Sequence, residues 1–115
     1  YIASDATIAK NPEMLRKFLQ VTYKAWEWTC NHPQEAINIL AEYHPINKDE
    51  YNKNLETVLE FVKTDRLREK GLGYIDAAQI QSTYDLVDEY QSELNFPVAD
   101  CFDNSFLPST PYTNF

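Results

Sequence analysis

Apolar positions recur every three or four residues through most of this chain, and they define four predicted helices. Leu15, Phe18, Leu19, Thr22, Trp26 and Thr29 fall on one face of a helix over about 12–30. Ala36, Ile37, Ile39, Leu40 and Tyr43 form the stripe of a second. Tyr51, Leu55, Val58, Leu59 and Val62 do the same for a third, and Ile80, Thr83, Tyr84, Val87 and Tyr90 for a fourth over about 77–93. Lys63–Gly73 is charged and glycine-punctuated, and reads as a loop or a frayed helix end. Residues 1–5 read as the end of a short buried strand. From Asn95 onward periodicity is lost. Pro97, Pro108 and Pro111 punctuate an extended, aromatic tail with at most one helical turn near Asn104–Leu107.

The boundaries carry matching signals. Asn11-Pro12-Glu13 places a capping residue, a proline that gives up an unneeded donor, and an acid at the positive end of the dipole. Asn31 or His32 is expected to cap the second helix, with Pro33 at its first position and Pro45 beyond its end. Asn47 and Asp76 stand where the third and fourth helices begin. The fold class is therefore mainly α, with about four helices and one orphan N-terminal strand. Nothing downstream offers that strand a neighbour, so Tyr1–Ser4 is expected to pair with another copy or lie disordered.

Composition narrows the function classes. At 115 residues and 43% hydrophobic, the chain will collapse around a core. Two glycines disfavour phosphate-cradling loops. The net charge of −8 is uneven, because residues 71–115 hold seven acids and no Lys or Arg. A basic face for nucleic acid is missing, and an anionic membrane surface is disfavoured for the same reason. The two cysteines, Cys30 and Cys101, lack metal-site spacing. They are expected as buried free thiols, with a single Cys30–Cys101 bridge as the alternative.

Candidate chemistry is sparse. His32 and His44 sit beside prolines at helix boundaries, where cap and turn roles account for them, and no metal site or catalytic residue is expected. Asp88 and Glu89 are adjacent on a helix and diverge. Two residues remain as candidates for ligand contact. Trp26 reads first as core, with stacking on a planar ligand as the competing role. Tyr74, in the Gly71-Leu72-Gly73-Tyr74 loop, has the better claim. No cofactor is implied.

The order of these motifs resembles the C-terminal region of two-lobed solute-binding proteins of ABC importers, of the type 2 periplasmic-binding-protein class. The likeness is to the group handling nitrate, sulfonates and the pyrimidine precursor of thiamine. It rests on Asn11-Pro12-Glu13 opening a long helix, Pro33-Gln34-Glu35-Ala36 opening the next, and Gly73-Tyr74-Ile75-Asp76 opening a later one. Phe102-Asp103-Asn104-Ser105-Phe106-Leu107 is similar to a terminal F-T-N-x-F-L, with Asp103 in place of Thr.

The resemblance implies that residues 1–115 are a C-terminal fragment of one solute-binding domain, with a strand at 1–5, a helical part at 11–94 and a tail at 95–115. This would be the helical portion of lobe 1 in an α/β two-lobed fold. The implied function is capture of a small polar solute, such as a thiamine pyrimidine precursor, by lobe closure. Delivery would be to an ABC permease, and the location extracytoplasmic. Two alternatives stay open. One is a pyrimidine-synthase-type enzyme of the same fold, recognised by a cysteine-rich segment upstream of Tyr1. The other is a free-standing helical interaction module.

Overall fold

The computed structural model describes residues 1–91 and 93–115. Among the described residues six helices follow in order: α1 (Asp5–Lys10), α2 (Pro12–Asn31), α3 (Pro33–Tyr43), α4 (Lys48–Val62), α5 (Asp65–Lys70) and α6 (Ala77–Tyr90). Short 3₁₀ turns at Val98–Cys101 and Asn104–Phe106 complete the chain. The four long helices are those the periodicity predicts. Among the described residues there is no strand, and the molecule is mainly helical.

The N-terminus corrects the sequence reading. Tyr1–Ser4 forms no strand, and a short helix begins at Asp5. Ser4 caps that helix, its hydroxyl accepting the Thr7 N–H at 3.3 Å, with Asp5 in the first turn and Lys10 in the last. A strand has no pairing partner here, whereas Ser-Asp at a helix start satisfies its donors locally. Tyr1 still packs, its ring edge-on to Phe18 at 5.6 Å and to Tyr23 at 5.9 Å. A second difference lies at 63–73, where Thr64 caps α5 through the Leu67 N–H.

Capping follows the sequence at Asn47 and Asp76, whose side chains accept first-turn N–H groups. At Asn11 and His32 the position is right but no side-chain cap bond forms. His32 instead turns back on α2. Its ring stacks on Trp28 at 4.9 Å, and Nδ1 lies 3.0 Å from the Trp28 carbonyl. A carbonyl only accepts, so that nitrogen carries the proton.

The core is small. Cys30, Ile37 and Leu59 are buried where α2, α3 and α4 meet, and Leu72 is buried in the loop before α6. Burial pushes the Cys30 thiol upward, partly offset by Lys63, whose ammonium bonds the Cys30 carbonyl at 2.9 Å. Cys101 is exposed and both thiols are free, so the expectation of two buried thiols holds only for Cys30. Half-buried Leu55 and Val62 support Leu59, whereas Tyr51 and Val58 of the same stripe stay exposed.

The chain is open for its size. Its accessible surface is 8503 Å², where a compact monomer of this mass would show about 6,500 Å². Its radius of gyration is 16.7 Å, against about 13 Å for a compact domain of this length. No described helix is long and apolar enough to cross a membrane.

Candidate functional site

The tail and the Gly71–Asp76 loop build the most shaped region of the molecule. Gly71 and Gly73 adopt φ of 93° and 85°, conformations that side-chain-bearing residues rarely take. Each also makes room for a neighbour: Pro111 abuts Gly71, and the Tyr23 ring abuts Gly73. Leu72 donates its N–H to the Tyr112 carbonyl at 2.9 Å. Asn104 then grips Ile75 from both sides. Its Oδ1 accepts the Ile75 N–H at 3.1 Å and its Nδ2 donates to the Ile75 carbonyl at 2.8 Å. One side chain thereby satisfies both backbone groups of one residue, as a neighbouring strand would.

Asp103 sets up that grip. Its carboxylate accepts the Ser105 N–H at 2.7 Å and caps the 3₁₀ turn that carries Asn104. Hydrogen bonds from Ser105, helped by the Arg16 charge, hold its pKa below the usual carboxylate range. A threonine hydroxyl could accept the same N–H.

Two grooves result. The larger, about 780 Å³, lies between α1, α2, Gly73–Ile75 and the tail. Its apolar wall includes Tyr1, Phe18 and Tyr23, and its rim carries Asp5, Asp100 and Asp103, with no Lys, Arg or His among the lining side chains. Burial, with Tyr1 nearby, raises the Tyr23 pKa, so its hydroxyl stays protonated as a donor. The smaller groove, about 440 Å³, pairs Arg16 with Ser105, Ser109 and Thr110. Arg16 is already engaged there, by Glu13 at 2.9 Å and over the Phe106 ring at 5.0 Å. The larger groove is the better ligand site, because its aromatic walls suit a flat ring and its acids accept from amino groups.

The two residues singled out from sequence line neither groove. Trp26 is half-buried and donates from Nε1 to the Tyr1 hydroxyl at 3.3 Å, behind the aromatic wall. Tyr74 is half-buried between two groove residues, Gly73 and Ile75, with the Lys70 ammonium 6.0 Å from its ring centre. The motifs single out Asp103 only as the residue standing in place of Thr and do not mark Asp100, because the groove both residues line is assembled from segments distant in the chain. Only the F-D-N-S-F-L likeness marked that segment. Among the described residues no three His, Cys, Asp or Glu side chains group as a metal site.

Comparison with known proteins gives these features a setting. The NMT1/THI5-like family matches residues 1–36, which contain both the Asn11-Pro12-Glu13 and Pro33-Gln34-Glu35-Ala36 motifs. A 4-amino-5-hydroxymethyl-2-methylpyrimidine phosphate synthase of Legionella pneumophila is 25% identical over 99% of this chain and 34% of its own length. The riboflavin-binding protein RibY of Chloroflexus aurantiacus is 28% identical over 95% of this chain and 32% of its own. A synthase of the same name from Candida albicans is 35% identical over 45% of this chain and 15% of its own. No solved structure matches. The chain thus spans about a third, or less, of the length of these relatives. These matches agree with the thiamine-pyrimidine part of the resemblance read from the motifs: the first 36 residues are similar to the NMT1/THI5-like family, and nearly the whole chain is similar to one protein named for a pyrimidine phosphate and one named for riboflavin.

Proposed function

We propose that this chain is the helical, C-terminal portion of an NMT1/THI5-like domain that captures a flat heteroaromatic solute without covalent chemistry. The observation that carries the proposal is the larger groove, with Tyr1, Phe18 and Tyr23 on its wall and carboxylates on its rim. Names of the relatives support the ligand class, since both an aminopyrimidine and riboflavin present flat rings with hydrogen-bonding edges. The solute would be a thiamine pyrimidine precursor, handed to an ABC permease by an extracytoplasmic protein. The synthase reading is favoured by two relatives named as synthases. It differs in demanding turnover rather than capture.

Thermal-shift titration of the protein from its complete reading frame tests this. Either 4-amino-5-hydroxymethyl-2-methylpyrimidine or riboflavin should stabilise it, by about 2.7 kcal/mol at a hundredfold excess over Kd. Phe18→Ala should weaken the effect. No shift at millimolar concentration of either compound overturns the capture reading. Appearance of a phosphorylated pyrimidine, with loss of the starting protein's activity after few turnovers, decides for the synthase.

A further inference from the structure

The lining of the smaller groove is the chemical opposite of the larger one. Arg16 and Gln20 lie one turn apart on α2, and Ser105, Ser109, Thr110 and Tyr112 line the groove from the tail. All six side chains can donate hydrogen bonds, and no carboxylate is among the lining residues. The larger groove carries three carboxylates and no Lys, Arg or His. Residues 71–115 hold no Lys or Arg, so the cation in the smaller groove is supplied by α2. Among the described residues, the side chains of Gln20, Ser105, Ser109, Thr110 and Tyr112 make no hydrogen bond to the protein. Arg16 spends one N–H, from Nη1, on Glu13 at 2.9 Å. Both side chains of that pair are exposed, 45% and 78%, so an anion displaces Glu13 at little cost. The Phe106 ring, 5.0 Å from the guanidinium, holds it in place without using a donor.

We propose that the smaller groove is an oxyanion site for a phosphate group, either inorganic phosphate or the phosphate arm of the flat solute. A guanidinium fork matches two phosphate oxygens, and hydroxyls arriving from the opposite segment suit the others. A planar carboxylate would be satisfied by the fork alone and leave those hydroxyls unused. The groove's volume of about 440 Å³ is that of a small-ligand pocket. Glu13 and Asp103 are the two carboxylates that share the Arg16 charge, and neither lines this groove. Phe106 and Leu107 line both grooves, so the two are joined by a common wall. The pair is therefore polar: an amino edge is drawn to the three aspartates and an anionic end to Arg16. The solute's arm rests on the capture reading of the larger groove, whereas the anion site does not.

Titration calorimetry on the protein from its complete reading frame tests the site, at fixed ionic strength with chloride as the balancing anion. Inorganic phosphate should bind saturably, and sulfate should compete with it. Arg16→Gln should weaken phosphate by about tenfold, and Glu13→Gln should tighten it. Ser109→Ala combined with Thr110→Val changes two exposed positions, leaves Arg16 in place, and should weaken phosphate by about threefold. Riboflavin and riboflavin 5′-phosphate separate the two sources. An ester that binds about tenfold more tightly than riboflavin, with the advantage lost in Arg16→Gln, assigns the site to the solute's arm. Equal affinity for the two, with saturable inorganic phosphate, assigns it to the free ion. Equal affinity for the two without saturable phosphate overturns the proposal. Phosphate or ester binding indifferent to Arg16→Gln overturns it too. Phosphate binding in a protein that takes neither riboflavin nor the aminopyrimidine leaves the anion site standing while the capture reading fails. Riboflavin binding with no response to phosphate, free or esterified, does the reverse.

Discussion

Two regions of this molecule are held together by different physics. Helices α2, α3 and α4 meet through buried apolar side chains, with Cys30, Ile37 and Leu59 at the centre. Helix α6 has no buried residue of its own and leans on the 3₁₀ turn Val98–Cys101. Its surroundings are fastened by side chains that reach backbone groups. Tyr84 donates to the Phe96 carbonyl at 2.6 Å, Asp88 accepts the Leu94 N–H at 2.6 Å, and Asn104 grips Ile75. The end of the tail is tied to α2 in the same way, by Asn31 to the Asn114 carbonyl and by Glu27 to the Asn114 N–H at 2.9 Å. Burial is non-directional and forgiving of small shifts, whereas these clamps fix one geometry and depend on each partner. The first region provides cohesion, and the second provides the shape of the larger groove.

The contrast yields tests in descending size. Gly71→Ala should be the most damaging substitution, at about 3 kcal/mol, because the backbone there is glycine-only and Pro111 fills the space a Cβ needs. Its damage should fall on the tail, seen as rapid proteolysis beyond residue 95 with helix content largely retained. Equal loss of helix signal would break the distinction between the regions. Ile37→Ala should cost about 2–3 kcal/mol from the opposite side, lowering the urea midpoint of the α2–α4 helices. Asn104→Ala should cost about 1–2 kcal/mol, since it strands the Ile75 N–H and carbonyl. Faster hydrogen exchange at Ile75 and in the first turn of α6, with α3 and α4 unchanged, is the expected pattern.

The smallest effect is a pH dependence at Asp103. A carboxylate whose folded pKa is depressed stabilises above the usual carboxylate range, and that stabilisation is lost as pH falls through its lowered value. Acidification should therefore loosen the turn carrying Asn104 before the helices unfold. Asp103→Asn keeps an acceptor for the Ser105 N–H and should remove this acid sensitivity, measured by exchange at Ile75 across the acid range.

Much of the helical frame is legible in the sequence because its determinants are local. Asn47, Asp76, Pro12 and Pro33 act within one turn of themselves, and the boundaries of α3, α4 and α6 follow them closely. Locality also explains the failure at residues 1–5. The same Ser4-Asp5 that ends an apolar run also caps a helix, and only the absence of a neighbouring strand among the described residues selects the second role. His32 shows the limit of capping rules: its ring finds Trp28 rather than the N–H groups ahead of it. The groove was illegible for a different reason. Asn104 to Ile75 spans 29 residues and Asn114 to Glu27 spans 87, and no periodicity encodes contacts at such separations.

The sequence by itself determined a mainly helical chain, the identity of its long helices, the acidic second half and the kinship carried by its short motifs. Those properties depend on spacing and composition, which the chain expresses without folding. Tertiary structure alone decided that Tyr1 would wall a groove rather than enter a sheet, and that Asn104 would stand in for a missing strand. Each of these is a choice between partners, and a partner is defined only when distant segments compete for the same unsatisfied surface or backbone group.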